Sequence, residues 1–130
     1  MIAETKVLQA VEAHLDEIVQ LAEECVTKTG VVRTDMEESQ FRNLQNLATA
    51  TDSIAVLENF VAYQVGRRRI NDRVGRQILE DFQKLNNIAQ EICQSRGLGK
   101  ELVSRVRAEL VRLYLGFLTR KFVAEKKKGE

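Results

Sequence analysis

Proline and tryptophan are absent from the 130 residues, and histidine occurs once, at His14. Each absence narrows what the chain can be. Proline costs most inside a helix, where it removes a hydrogen bond and clashes with the preceding turn; a chain without it is free to build long, uninterrupted helices. One histidine and two cysteines fall short of the four Cys or His ligands that structural zinc usually draws on, so no zinc site is expected. The two cysteines, Cys25 and Cys93, lie far apart, form no C-x-x-C unit, and fall on apolar helical stripes. They are expected as buried free thiols. Aromatic residues make up only 5%. The only tyrosines are Tyr63 and Tyr114, and the phenylalanines sit on core stripes. Any nucleic-acid binding should therefore be independent of sequence. Long apolar runs are missing too. The most apolar stretch, Leu110 to Leu118, is too short for a bilayer and contains Arg112. Near the N-terminus Glu4, Glu12, Asp16 and Glu17 stand in a helical pattern rather than in a basic leader. The expectation is a cytoplasmic protein with no membrane partner.

What is present is helical periodicity. A hydrophobic fraction of 44% with 30% charged residues belongs to a folded domain. Val7, Val11, Leu15, Ile18, Ala22 and Cys25 recur at steps of three and four, predicting a first helix from Glu4 to Thr27, with Gly30 as its stop. Val31 to Arg33 reads as an extended connector. Thr34 with Glu37, or Asp35 with Glu38, offers a capping box for a second helix that buries Phe41, Leu44, Leu47 and Ala48. Thr51-Asp52-Ser53 starts a third, burying Ile54, Leu57, Phe60, Val61 and Val65 and ending at Gly66. Asn71 or Asp72 caps a fourth, with the stripe Val74, Ile78, Phe82, Leu85, Ile88 or Ala89, and Ile92. A fifth runs from Lys100 to Ala124 and is apolar on two faces, which suits a central helix or one partly covered by a partner. The fold expected is an all-α, compact bundle of about five helices. It forms one domain over residues 1–130, with a charged tail fraying from about 125.

Charge is distributed unevenly. Residues 1–65 hold four Lys or Arg against eleven Asp or Glu, a balance of −7; residues 66–130 hold sixteen against eight, a balance of +8. This asymmetry points to a polyanionic partner for the second half, or to acid–base contact between copies. Arg67, Arg68, Arg69, Arg73 and Arg76 fall within ten residues, the triplet in a loop and the other two on the first turns of the fourth helix. The planar guanidinium fork suits phosphate, and a helix N-terminus lies beside the cluster. Arg120 and Lys121, with the lysine-rich tail, could extend the same surface.

Catalytic chemistry is harder to find. Glu37-Glu38 and Glu80-Asp81 are adjacent pairs, and neighbours on a helix point about 100° apart, so they read as solvated charge. His14 has no E-x-x-H or H-x-x-x-H companion and reads as a partly exposed structural residue. Gly97-Leu98-Gly99-Lys100 reads as a turn between helices. The second and third helices could form a helix-turn-helix, but the third carries Glu58 and no arginine before Gly66, unlike a recognition helix. Neither an enzyme, a metal site nor a cofactor is expected.

Two segments carry a family likeness. Ser39-Gln40-Phe41-Arg42-Asn43-Leu44 resembles the S-x-x-R-x-L helix start of the small helical subunits of type III CRISPR effector complexes. Tyr63-Gln64-Val65-Gly66-Arg67 resembles the same family's Y-x-x-G-R helix end, and Leu110 to Phe122 is similar to its closing helix. The likeness spans roughly residues 30–123. It implies a non-catalytic subunit that stacks in copies within a ribonucleoprotein. Its partners would be the guide RNA and target RNA backbones, other subunits of the complex, and copies of itself. By matching position it implies RNA contacts at Arg42 and Arg67, with Arg68 and Arg69 following by adjacency. The competing expectations are a helical adaptor that self-associates through its last helix without nucleic acid, and a small DNA-binding regulator.

Overall fold

The computed structural model describes residues 2–129, with side chains from Glu4 to Gly129. The proline-free chain forms six α-helices and, among the described residues, no strand. They are α1 (Ile2–Glu12), α2 (Leu15–Thr29), α3 (Glu38–Ala50), α4 (Ile54–Gly66), α5 (Asp72–Ser95) and α6 (Val103–Lys128). Two 3-10 turns, Val31–Arg33 and Lys100–Leu102, join α2 to α3 and α5 to α6. The all-α class read from the periodicity is the one observed.

The two apolar faces of α6 are both covered within the chain. Val106, Leu110, Val111, Leu115, Leu118 and Phe122 are buried, and Leu113 and Phe117 pack against the same core. Helices α2, α3 and α5 surround it. The cross-links give their directions. Glu4 pairs with Arg105 near the start of α6, and Glu23 with Lys121 near its end, so α1 and α2 run parallel to it. The Phe41 ring packs against that of Phe122 at a tilt of 48°, while Arg112 bonds the Ala48 carbonyl, so α3 runs antiparallel. Tyr114 meets Asp81 and Arg107 meets Asn86, so α5 is antiparallel as well. Helix α4 lies outside this group and packs on α3 and α5.

Several boundaries differ from the periodic reading, each for a local reason. The first helix is two. It breaks at Ala13-His14, where the His14 N–H bonds the Val11 carbonyl at 2.9 Å. Ahead of the break Val7, Ala10 and Val11 are buried; after it, Ile18, Ala22, Cys25 and Val26 are. No glycine or proline marks the place, so the stripe reads straight through it. Val31 to Arg33 coils as a 3-10 turn instead of extending. The Thr34 hydroxyl is spent closing that turn, donating to the Val31 carbonyl at 2.6 Å and accepting from the Met36 N–H at 3.2 Å. Thr34 therefore cannot cap α3. The Gln40 side chain instead accepts from the Glu37 N–H at 2.5 Å, so the capping box begins at Glu37. The end of the chain is helical to Lys128 rather than frayed from 125. There Glu125 bridges Lys121 and Lys128, and Lys126 Nζ donates to the Val32 carbonyl at 3.2 Å.

Candidate nucleic-acid interface

The arginine triplet is built on the way α4 ends. The Arg69 N–H bonds the Gln64 carbonyl at 2.9 Å and the Arg68 N–H bonds the Val65 carbonyl at 3.0 Å, the paired bonds of a Schellman motif. That motif requires a left-handed residue, and it is Arg68, at φ 63°, rather than Gly66. Helix α5 ends with the same two bonds, Leu98 to Cys93 and Gly97 to Gln94, but with glycine in the left-handed place, Gly97 at φ 67°. Behind the turn, Ile70 and Gln64 are buried. Gly75 lets α5 approach so closely that a Cβ there would overlap the Val65 side chain. Asn71 then caps α5, its side-chain oxygen accepting from the Arg73 N–H at 3.0 Å. The triplet thus projects from a turn held by buried Ile70 and by the close approach of α5 at Gly75, with the Gln64 side chain buried beside them.

Exposure and pairing divide the predicted contact residues. Arg42, Arg67, Arg68, Arg69, Arg73, Arg76 and Arg120 are exposed, and Lys121 is half-buried. Arg42 pairs with Glu38 one turn earlier on α3. Arg76 pairs with Asp72 at 2.7 Å on α5. Lys121 pairs with Glu125 at 2.9 Å and approaches Glu23 of α2 at 4.0 Å. The hydrogen bond from Lys121 lowers the Glu125 carboxyl, and the same bond raises the Lys121 ammonium. Arg120 lies over the Phe117 ring at 5.8 Å. Among the described residues Arg67, Arg68, Arg69 and Arg73 have no carboxylate within ion-pair distance. Arg67 instead lies over the ring of Tyr63, 5.2 Å from its centre.

The basic surface is not continuous. A groove of about 630 Å³ separates the α4–α5 turn from the start of α3, with Arg68 and Arg69 on one side and Asp35 and Glu37 on the other. A second groove, about 480 Å³, separates Asp35, Glu37 and Glu38 from Lys126 and Lys127 of α6. The acidic segment before α3 therefore stands between the arginine cluster and the lysine tail. Arg120 and Lys121 lie on α6, where among the described residues they contact Phe117, Glu125 and Glu23 rather than the cluster.

Much of the basic second half is used internally. Arg105 reaches Glu4 at 2.8 Å, and Arg112 reaches Asp52 at 2.6 Å and the Ala48 carbonyl at 2.7 Å. The charge asymmetry thus has an intramolecular use: α6 is basic where it meets the acidic helices of the first half.

Asp81 is the carboxylate that adjacency misplaced. Glu80 is exposed, but Asp81 is 0% exposed. Its Oδ2 accepts from the Tyr114 hydroxyl at 2.6 Å and its Oδ1 from Gln77 Nε2 at 3.0 Å. Burial, the largest influence, raises its carboxyl above the usual range, against those hydrogen bonds and Lys84, which lower it. Burial likewise pushes the Cys25 thiol up to about 12 and holds the Tyr114 hydroxyl well above its ordinary value. The Cys25 thiol and the Tyr114 hydroxyl serve the core, and Cys25 and Cys93 are both free and buried. The signal was in the sequence: position 81 is three after Ile78 and four before Leu85, inside the stripe.

Tyr63 was also missed as a surface residue. It is 55% exposed, because α4 turns Leu57, Val61 and Gln64 to the core and leaves Ile54, Phe60 and Val65 only partly covered. No protein family model, curated protein or solved structure matches this chain.

Proposed function

We propose that this chain is a non-catalytic, RNA-binding structural subunit of the kind found in type III CRISPR effector complexes. It would hold the sugar-phosphate backbone of guide or target RNA through Arg67, Arg68, Arg69 and Arg73. The observation that carries the reading is the state of those four side chains: exposed, grouped on the α4–α5 turn and the first turn of α5, and unpaired with carboxylates among the described residues. Surface arginines without carboxylate partners keep their full charge for a phosphate chain. Arg42 and Arg76 belong to the proposal as secondary contacts. Their partners are exposed, and exposed ion pairs are weak enough to exchange for phosphate. The motif likeness at Ser39 to Leu44 and Tyr63 to Arg67 supplies the family. Cytoplasmic placement follows from the same reading.

A self-associating adaptor would need a face other than α6, whose apolar residues are occupied within the chain. The RNA reading is tested by the triple substitution Arg67→Ala, Arg68→Ala, Arg69→Ala. At moderate salt it should weaken binding to unrelated single-stranded RNAs by tenfold or more, and equally for each. Unchanged affinity, or a loss confined to one sequence, would remove the reading.

A further inference from the structure

An exposed aromatic ring beside unpaired arginines is the least explained feature of the surface. Tyr63, Leu8 and Val56 are the large apolar side chains left exposed among the described residues, and Tyr63 is the aromatic one. Its ring faces no other aromatic ring among those residues. Arg67 lies over it without losing its charge to a carboxylate, since a cation–π contact orders a guanidinium without neutralising it. Their backbones are tied together: the Arg67 N–H bonds the Tyr63 carbonyl at 3.0 Å, and the Schellman turn follows at once. Helix α4 carries one charged residue, Glu58, so its outer face does not repel a polyanion strongly.

We infer that Tyr63 and Arg67 form a stacking subsite for one unpaired nucleobase of single-stranded RNA. This rests on the RNA reading above and deepens it. The base lies flat on the ring or on the outer plane of the guanidinium, while the flanking phosphates meet Arg68, Arg69 and Arg73. Every base has a π-face, so the subsite adds affinity without adding sequence preference. A phosphate-only surface has no use for the ring; a protein surface could use both the ring and the arginines, and the oligomeric state of Tyr63→Ala separates that case.

The test uses the full chain and two fluorescently labelled probes of equal length: an oligouridylate, and a chain of the same ribose-phosphate units lacking bases. The subsite predicts that the wild type binds the base-bearing probe about tenfold more tightly. Tyr63→Ala should remove that preference, and Tyr63→Phe should keep it. All three proteins should show the same salt dependence, because no phosphate contact is lost. Far-ultraviolet circular dichroism and the melting midpoint confirm that the exposed substitution leaves the fold intact. Equal wild-type affinity for the two probes, with normal salt dependence, overturns the subsite while leaving the phosphate reading standing. No binding of either probe overturns both. A change in oligomeric state on Tyr63→Ala, with the base preference retained, assigns the ring to a second copy and overturns the subsite.

Discussion

Arg68 takes a left-handed conformation that L side chains adopt at a cost of about 1–2 kcal/mol. Glycine at that place would relieve the strain but give back about 0.5–1 kcal/mol in unfolded-chain entropy. Arg68→Gly should therefore raise stability by roughly 0.5–1 kcal/mol, read as a higher urea midpoint, while weakening RNA binding. A position where the stabilising residue is passed over for a cation is consistent with selection for the charge. Asp81 gives a second residue-scale expectation. Its folded carboxyl holds a proton more tightly than the unfolded one, chiefly because it is buried. The stability this proton contributes is fully present below the unfolded carboxylate value, about 3.9, and is lost as pH rises through the raised folded value. Asp81→Asn removes that titration. The stability difference between variant and wild type should shift in favour of the variant from pH 4 to pH 7. A constant difference in urea midpoint across that range would show that the carboxyl does not titrate differently in the folded state.

At the scale of elements, the joint between α3, α4 and α6 depends on Arg112. Its guanidinium satisfies the Ala48 carbonyl near the end of α3 and pairs with Asp52 before α4 and Glu109 on its own helix. A cation at a helix C-terminus meets both the free carbonyls and the negative end of the dipole. Arg112→Ala should cost about 2–3 kcal/mol by equilibrium unfolding. Arg105→Ala removes a more exposed pair and should cost less than about 1 kcal/mol. The helices themselves were legible because their apolar residues recur at three and four, as in Val74, Ile78, Phe82, Leu85 and Ala89 of α5. The caps were legible from residue type, Ser53 within the Thr51-Asp52-Ser53 run and Asn71 as one of two candidates beside Asp72. The break at His14 was not, because it carries no special residue and the stripe stays in phase across it. The capping box begins at Glu37, three residues after Thr34 and two after Asp35, and Thr34 is taken up by the Val31 carbonyl. Of the candidate interface, the arginine triplet was legible as a run of charge in a loop. Which arginines keep that charge unpaired depends on neighbours brought in by the fold, and Tyr63 depends on the rotation of α4 against α5.

For the whole molecule, the opposed charge of the two halves is divided between two uses. Arg105, Arg112 and Lys121 spend theirs on Glu4, Asp52 and Glu23, binding the basic central helix to acidic partners. Arg67, Arg68, Arg69 and Arg73 are left over at the α4–α5 turn and the start of α5, and Arg68 and Arg69 face the acidic segment before α3 across a groove. Head-to-tail contact between copies would make an open array rather than a closed pair, and the leftover arginines would then repeat along it. Under the proposed function this turn neutralises RNA phosphates. The most direct measurement is the slope of log affinity against log salt for a short single-stranded RNA, with wild type beside the Arg67, Arg68, Arg69 triple alanine variant. Three lost phosphate contacts predict a slope shallower by about 2. Parallel lines for the two proteins would contradict the claim.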